Sequence, residues 1–317
     1  MLAFVIQALE GIFTIIFVVG VGYVLNKKGW FDEKSSSLIS RLVTVVALPC
    51  YLITGLTKNF TFTELSKMLP DMALPFCSVL LAMIVGQAVT HVLRIRKGRR
   101  GVFCTNFFIA NTMFIGLPVN LALFGDESIP SVMLYYIVNT LFFWTLGVHK
   151  IVADTSDTGV RVSFTQSLKK LFSVPLLSCL AALLLIILNI RIPSFLFNGL
   201  RYVGNLTTPL SLIFIGIEIS RISLREFRFE KDIVWGMAGR FLVCPLCLLV
   251  LVPFFVVSPI SVKVFTMQSA MPAMTQMAIV AKQYGADSQY AAALSFITIL
   301  AGLFVIPVYM TIVSMYV

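Results

Sequence analysis

Arg240 carries a full charge inside an otherwise apolar stretch, GMAGRFLVCPL. It lies roughly 13 Å along a helix starting near Lys231, at about 1.5 Å per residue. That is close to the middle of a bilayer core about 30 Å thick. A guanidinium in such a place has two uses. It clamps a carboxylate in bidentate fashion, or it binds helix carbonyls or an acidic neighbour and fastens the bundle. Three carboxylates also lie in or beside apolar runs: Glu10 in the first, Asp71 at the start of the third and Glu218 at the end of the seventh. Ionisable groups in spans are functional candidates, so all three are candidates for ion coupling. Each has a structural alternative as well. Glu10 reaches outward by snorkelling, Asp71 serves a helix N-terminus, and Glu218 pairs with Arg221 or Arg225. His91 and His149 sit at helix ends without metal-ligand company.

The other polar candidates surround two interruptions. NTMFIGLPVN (111–120) and QSAMPAMTQM (268–277) each place amides and hydroxyls around a proline in an apolar run. Pro118 and Pro272 remove a backbone N–H and obstruct the preceding turn. Gly116 admits a close backbone approach. Asn111, Thr112, Asn120, Ser269, Thr275 and Gln276 then either bind a polar ligand or satisfy the freed backbone groups. A broken helix also turns the positive end of its dipole towards the gap. One kinked helix is ordinary packing. Two in corresponding positions point to a binding site.

These residues need membrane helices to position them. The 317 residues have a mean hydropathy of +0.97, with 59% hydrophobic and 12% charged residues. Runs of about 20 apolar residues, enough to cross a bilayer, recur along the chain. Ten spans are predicted, near 3–25, 36–57, 71–93, 101–124, 128–150, 168–189, 199–219, 231–257, 260–284 and 288–316. The first run is too long for a signal peptide core and no positive charge precedes it, so it is expected to remain as a helix. Of the 24 Lys and Arg residues, 17 fall in or beside the loops after spans 1, 3, 5, 7 and 9. Those loops are expected inside, and both termini outside. The net charge of +10 follows from this topology and does not imply nucleic acid. The six cysteines lie in apolar runs, and Cys244-Pro-Leu-Cys247 has no partner pair for a metal.

The two halves, 1–150 and 168–317, are joined by a short polar linker at 151–167. At an offset of 160 residues Pro49 falls on Pro209, Ala110 on Ala270, Gly125 on Gly285 and Ser128 on Ser288. Each half has an odd number of spans, so the second is inverted, as in many secondary transporters.

NTMFIGLPV (111–119), VNTLFFWTL (138–146), GRFLVCPL (239–246), IVAKQYGAD (279–287) and VIPVY (305–309) together resemble the auxin efflux carrier family. That family includes plant auxin exporters and bacterial permeases assigned to malate or malonate. The resemblance implies an all-α membrane fold of ten helices in two inverted five-helix repeats, like sodium/proton antiporters and bile-acid symporters. It implies crossed, broken helices 4 and 9, meeting at Pro118 and Pro272. It also implies a scaffold of helices 1, 2, 6 and 7, a transport domain of helices 3–5 and 8–10, elevator movement and a homodimer. Asn111 matches the crossover asparagine, and Asn139 falls where plant members have a polar glutamine. The large cytoplasmic loop of many plant members is absent.

No GxSxG, HExxH or Walker A motif occurs in the chain, so an enzyme is not expected, and no cofactor. The expected function is gradient-driven transport of a small organic anion across the plasma (inner) membrane, with H+ or Na+ as possible coupling ion. A ligand-sensing receptor on a transporter fold, or a carrier of a neutral or cationic solute, is the alternative.

Overall fold

The structure is a computed structural model and describes residues 2–155, 172–221 and 230–316; side chains at 2–12, 33 and 314–316 are outside the described set. The described residues are mostly helical and contain no strand, only one isolated antiparallel bridge. The polarity runs from outside to inside. Phe17, Leu184, Leu246, Val250, Phe304 and Val308 are exposed, whereas Asn106, Asn120, Asn139, Arg240, Gln268 and Ser269 are fully buried. This is the arrangement expected where lipid replaces water and polar groups serve as contacts between helices. Six helical runs are long and apolar enough to cross a membrane: Lys34–Asn59, Phe62–Val92, Thr112–Ala153, Ser194–Ser220, Lys231–Phe254 and Ser288–Val313. Phe13–Lys27 and Val174–Ile187 are shorter apolar helices. The protein is thus a multi-pass membrane protein.

The chain divides into two compact units. The first comprises Met1–Pro70, Met113–Met133 and Phe172–Ile222. It holds α1 (Leu2–Lys27), α2 (Glu33–Leu42), α3 (Leu48–Asn59), α4 (Phe62–Met68), α7 (Leu117–Phe124), α10 (Val174–Ile187), α11 (Ser194–Gly204) and α12 (Thr207–Ser220). Helix α1 packs along α12. Gly216 makes this possible, because a Cβ there would lie 2.0 Å from the Val19 carbonyl oxygen and 2.7 Å from the Tyr23 nitrogen. Backbone-to-backbone approach of this kind is how membrane helices gain van der Waals contact. Two loop regions are tied by side chains. The Tyr51 hydroxyl donates to Asp126 at 2.6 Å and the Asn59 amide to Asp126 at 3.2 Å. Ser36 donates to Glu218 at 3.0 Å, and Asn26 to Ser220.

The second unit comprises Asp71–Thr112, Leu134–Leu171 and Ser223–Val317. It holds α5 (Ala73–Val92), α6 (Arg100–Phe108), most of α8 (Ile129–Phe142), α9 (Val148–Ala153), α13 (Lys231–Ala238), α14 (Cys244–Leu251), α15 (Pro259–Ser269), α16 (Gln276–Tyr284) and α17 (Ser288–Tyr316).

Proline leaves a readable mark on these helices. One-turn π segments at Val43–Ala47, Thr112–Gly116 and Gly239–Val243 each precede a helix with Pro at its start. The missing N–H frees a carbonyl four residues back, and the ladder widens to compensate. Pro245 frees the Phe241 carbonyl in this way, and the Tyr309 hydroxyl donates to it at 2.6 Å. A fourth π segment, Phe143–Gly147, has no such proline. Gly125 and Gly285, paired at the 160-residue offset, end α7 and α16 with φ of +63° and +77°. Only glycine adopts such values without strain.

The described residues hold six runs long and apolar enough to cross a membrane against the ten predicted spans, with parts of predicted spans 4 and 5 joined in Thr112–Ala153, and two local differences follow. The predicted 199–219 span is two helices, α11 and α12, of which α11 begins five residues earlier, at Ser194. The loop before span 3 carries α4, whose Thr61 and Glu64 form a complete capping box. The signal was present as Thr-Phe-Thr-Glu, but the helix is too short to register as a periodic run. Most of the 151–167 linker lies outside the described residues.

Candidate functional site

Helix α6 stops at Phe108 because Ile109 turns to an extended conformation, with φ −113° and ψ 124°. Helix α15 stops at Ser269, and α16 begins only at Gln276. The unwound residues meet. Ala110 and Ala273 form the antiparallel bridge, and the Asn111 N–H donates to the Pro272 carbonyl at 2.8 Å. Backbone freed from two helices is thus partly satisfied by itself. The remainder is met by side chains, as buried backbone requires. The Asn139 amide grips Ala110 from both sides: its oxygen accepts from the Ala110 N–H at 2.9 Å, and its nitrogen donates to the Ala110 carbonyl at 3.0 Å. Thr298 accepts from the Ala273 N–H at 3.1 Å, and Ser295 donates to the Met274 carbonyl at 3.3 Å. Gln268 donates to the Thr112 carbonyl at 3.2 Å.

Arg240 is fully buried and projects from the π segment between α13 and α14. One terminal nitrogen donates to the Asn106 carbonyl at 3.2 Å, the other to the Ser269 carbonyl at 2.5 Å. These carbonyls lie in the last turns of α6 and α15. Cys244, one turn along, donates to the Phe107 carbonyl. Of the two uses of Arg240 open from the sequence, binding of helix carbonyls describes these contacts.

The second unit therefore gathers Asn111, Thr112, Asn139, Arg240, Ser269, Pro272, Thr275 and Gln276 about one crossing. Gln276 is exposed and Thr275 partly so, at the N-terminus of α16; the other six are buried. Asn106 Oδ1, Gln268 Oε1 and Arg240 Nε are buried without a partner among the described residues. Such atoms in a native interior call for an explanation, a polar ligand among them. Gly116, Pro118 and Asn120 belong to the first unit. There the Asn120 amide donates to the Gly116 carbonyl, one turn back, at 2.7 Å.

The acidic candidates are placed as follows. Asp71 does not cap its own helix. It accepts from the Ser258 hydroxyl at 3.0 Å and from the Ser258 N–H at 3.4 Å, and Ser258 in turn caps α15. Glu218 accepts from Ser36 and pairs with Arg221 at 3.4 Å; Arg225 is outside the described residues. Glu10 lies in the backbone of α1, and its side chain is outside the described residues. No group of His, Cys, Asp and Glu suited to a metal occurs among the described residues.

A charged cluster not anticipated from the sequence ties the starts of α6, α13 and α17. Arg99 bonds Glu230 and, at 2.7 Å, Asp287, and lies over the Tyr290 ring at 4.8 Å. Burial works against the Asp287 charge, but the Tyr290 N–H and the Arg99 guanidinium outweigh it and hold the carboxyl below its ordinary 3.8. A depressed carboxylate stabilises the fold above its unfolded pKa, and that contribution is lost as pH falls through its folded value. Asp287→Asn is therefore expected to lower thermal stability at neutral pH by at most about 1 kcal/mol, given its solvent exposure. It should also flatten the loss of melting temperature below pH 4 relative to the wild type.

Asn106, Gln268, Thr298 and Tyr309 were missed as positioning residues. Asn106 and Gln268 lie beside the two interruptions and were legible as polar residues in apolar runs. Thr298 and Tyr309 were not, because their partners are carbonyls and N–H groups of helices distant in sequence.

The profile of a family described as membrane transport protein matches residues 7–310 of the chain. An uncharacterized transporter of Methanocaldococcus jannaschii is 22% identical over 305 residues, covering 94% of this chain and 96% of the relative. Another, from Methanothermobacter thermautotrophicus, is 23% identical over 309 residues, covering 95% and 96%.

Proposed function

The chain belongs to the membrane transport protein family, that of the auxin efflux carriers, and from that premise we propose that it is a gradient-driven carrier of small organic anions, carboxylates above all. The observation that carries the reading is the pair of unwound segments joined at Ala110 and Ala273. In membrane proteins, irregular backbone persists at depth only where it is buried in protein or lines a cavity, and in secondary transporters that place is the binding site. Asn111, Thr112, Thr275 and Gln276 supply neutral hydrogen bonds there. The N-terminal end of α16 supplies a positive dipole that favours an anion.

Ten crossings in two inverted repeats form part of the proposal. The Thr112–Ala153 run has 42 residues, about 63 Å at 1.5 Å per residue, twice a bilayer core of about 30 Å. The positive φ of Gly125 favours a reversal of direction there. Each half-helix at the crossing is too short to span alone. Residues of the loops after spans 3, 7 and 9 meet at Arg99, and those after spans 2 and 8 at Asp71, which suits alternating ends. We further take helices 3–5 and 8–10 as the moving, elevator-type domain and helices 1, 2, 6 and 7 as scaffold, in a homodimer at the plasma (inner) membrane with both termini outside. These rest on family likeness and on the distribution of basic residues.

The test is a thermal-stability screen of the purified protein against mono- and dicarboxylates, amino acids and aromatic acids. A ligand at 100 times its dissociation constant adds about 2.7 kcal/mol. A carboxylate is expected to raise the melting temperature, and Asn111→Ala to abolish the shift with the fold retained. Stabilisation by neutral or cationic solutes alone would overturn the choice of cargo.

A further inference from the structure

We infer that Arg240 is a built-in counter-cation that occupies the place of a coupling sodium ion at the crossing of α6 and α15. The inference rests on the carrier reading and deepens it by naming the class of coupling. Two helices end within reach of this one side chain, and their last-turn carbonyls, Asn106 and Ser269, accept from its two terminal nitrogens. A helix C-terminus carries roughly half a negative charge. Two of them converging at one point present about one full negative charge, which a single guanidinium balances. Among the described residues Arg240 has no carboxylate partner, and it is fully buried. A buried charge without an acidic partner persists only if something else compensates it, and here the helix ends do so. In broken-helix carriers, unwound carbonyls and half-helix C-termini are the groups that coordinate sodium. In this chain those ends face a tethered cation, and a sodium ion placed beside it would be repelled.

The test uses the full chain purified in detergent and melted in sodium, potassium and choline chloride at equal ionic strength. The wild type is expected to melt at the same temperature in all three salts. Arg240→Lys, which keeps the charge, should lose less than Arg240→Met, which fills the space without it. Arg240→Ala should melt several degrees lower and be partly restored by sodium or by millimolar guanidinium, whereas Arg240→Met should not. Sodium-selective stabilisation of the wild type, or an Arg240→Met protein as stable as the wild type, would overturn the inference. If the apolar variants yield no folded protein, the wild-type salt comparison and the Lys variant still decide it. These readouts are independent of cargo: failure of the carrier reading would show in the ligand screen and not in the salt series.

Discussion

Asn139→Leu is expected to cost about 3–4 kcal/mol of stability and to abolish ligand binding at the crossing. Asn139 is fully buried, and its amide is the side-chain partner of both the N–H and the carbonyl of Ala110. Leucine fills a similar volume but offers neither a donor nor an acceptor. Each buried backbone group left unpaired costs about 1–3 kcal/mol, and both belong to the residue that bridges to Ala273. The loss should therefore appear as a lower melting temperature in detergent and as increased proteolysis near 109–111. A change below about 1 kcal/mol would mean that the unwound segment finds other partners and that Asn139 does not hold the break open.

The second large effect is expected in the first unit. Gly216→Leu should prevent α1 and α12 from packing, with a loss above about 4 kcal/mol or no monodisperse protein. Even the first added carbon would meet backbone atoms, the Val19 oxygen at 2.0 Å and the Tyr23 nitrogen at 2.7 Å. Backbone cannot rotate aside as a side chain can, so the helices must separate along their length. The matched control is Gly199→Leu in α11, where an added carbon meets nothing within 4 Å; it should behave as the wild type. Size-exclusion profiles and melting curves of the two variants distinguish a specific helix approach from a general intolerance of glycine replacement.

The sequence was informative where the physics is local. Long apolar runs locate membrane helices, because chain length acts within one helix, and Pro272 falls in an unwound segment. Pro118, expected at the crossing, instead lies inside α7 behind a π segment, and the break at Ile109 carries no proline. Pairings across the fold were less visible. Asp71 read as a cap for its own helix, but its partner is Ser258, which caps α15. Arg240 read as a fastening or as a ligand clamp, because nothing in its own run shows that two helix ends converge on it. The one-turn π segments follow from Pro49, Pro118 and Pro245 only once the chain is known to continue as helix past each proline. Arg99 belonged to a basic loop that reads as a topological signal, and its three-way tie to Glu230 and Asp287 depends on spans far apart in sequence. Gln268 stood beside a recognised break, yet its role required the Thr112 carbonyl.

The most direct test of the account is uptake of labelled carboxylates by proteoliposomes containing the purified chain, with an imposed substrate or proton gradient and no sodium present. The account predicts saturable uptake of at least one small organic anion, lost in Asn111→Ala protein that remains folded. Absence of uptake for every mono- and dicarboxylate in vesicles of verified, folded protein, or uptake unchanged in the Asn111 variant, would contradict it.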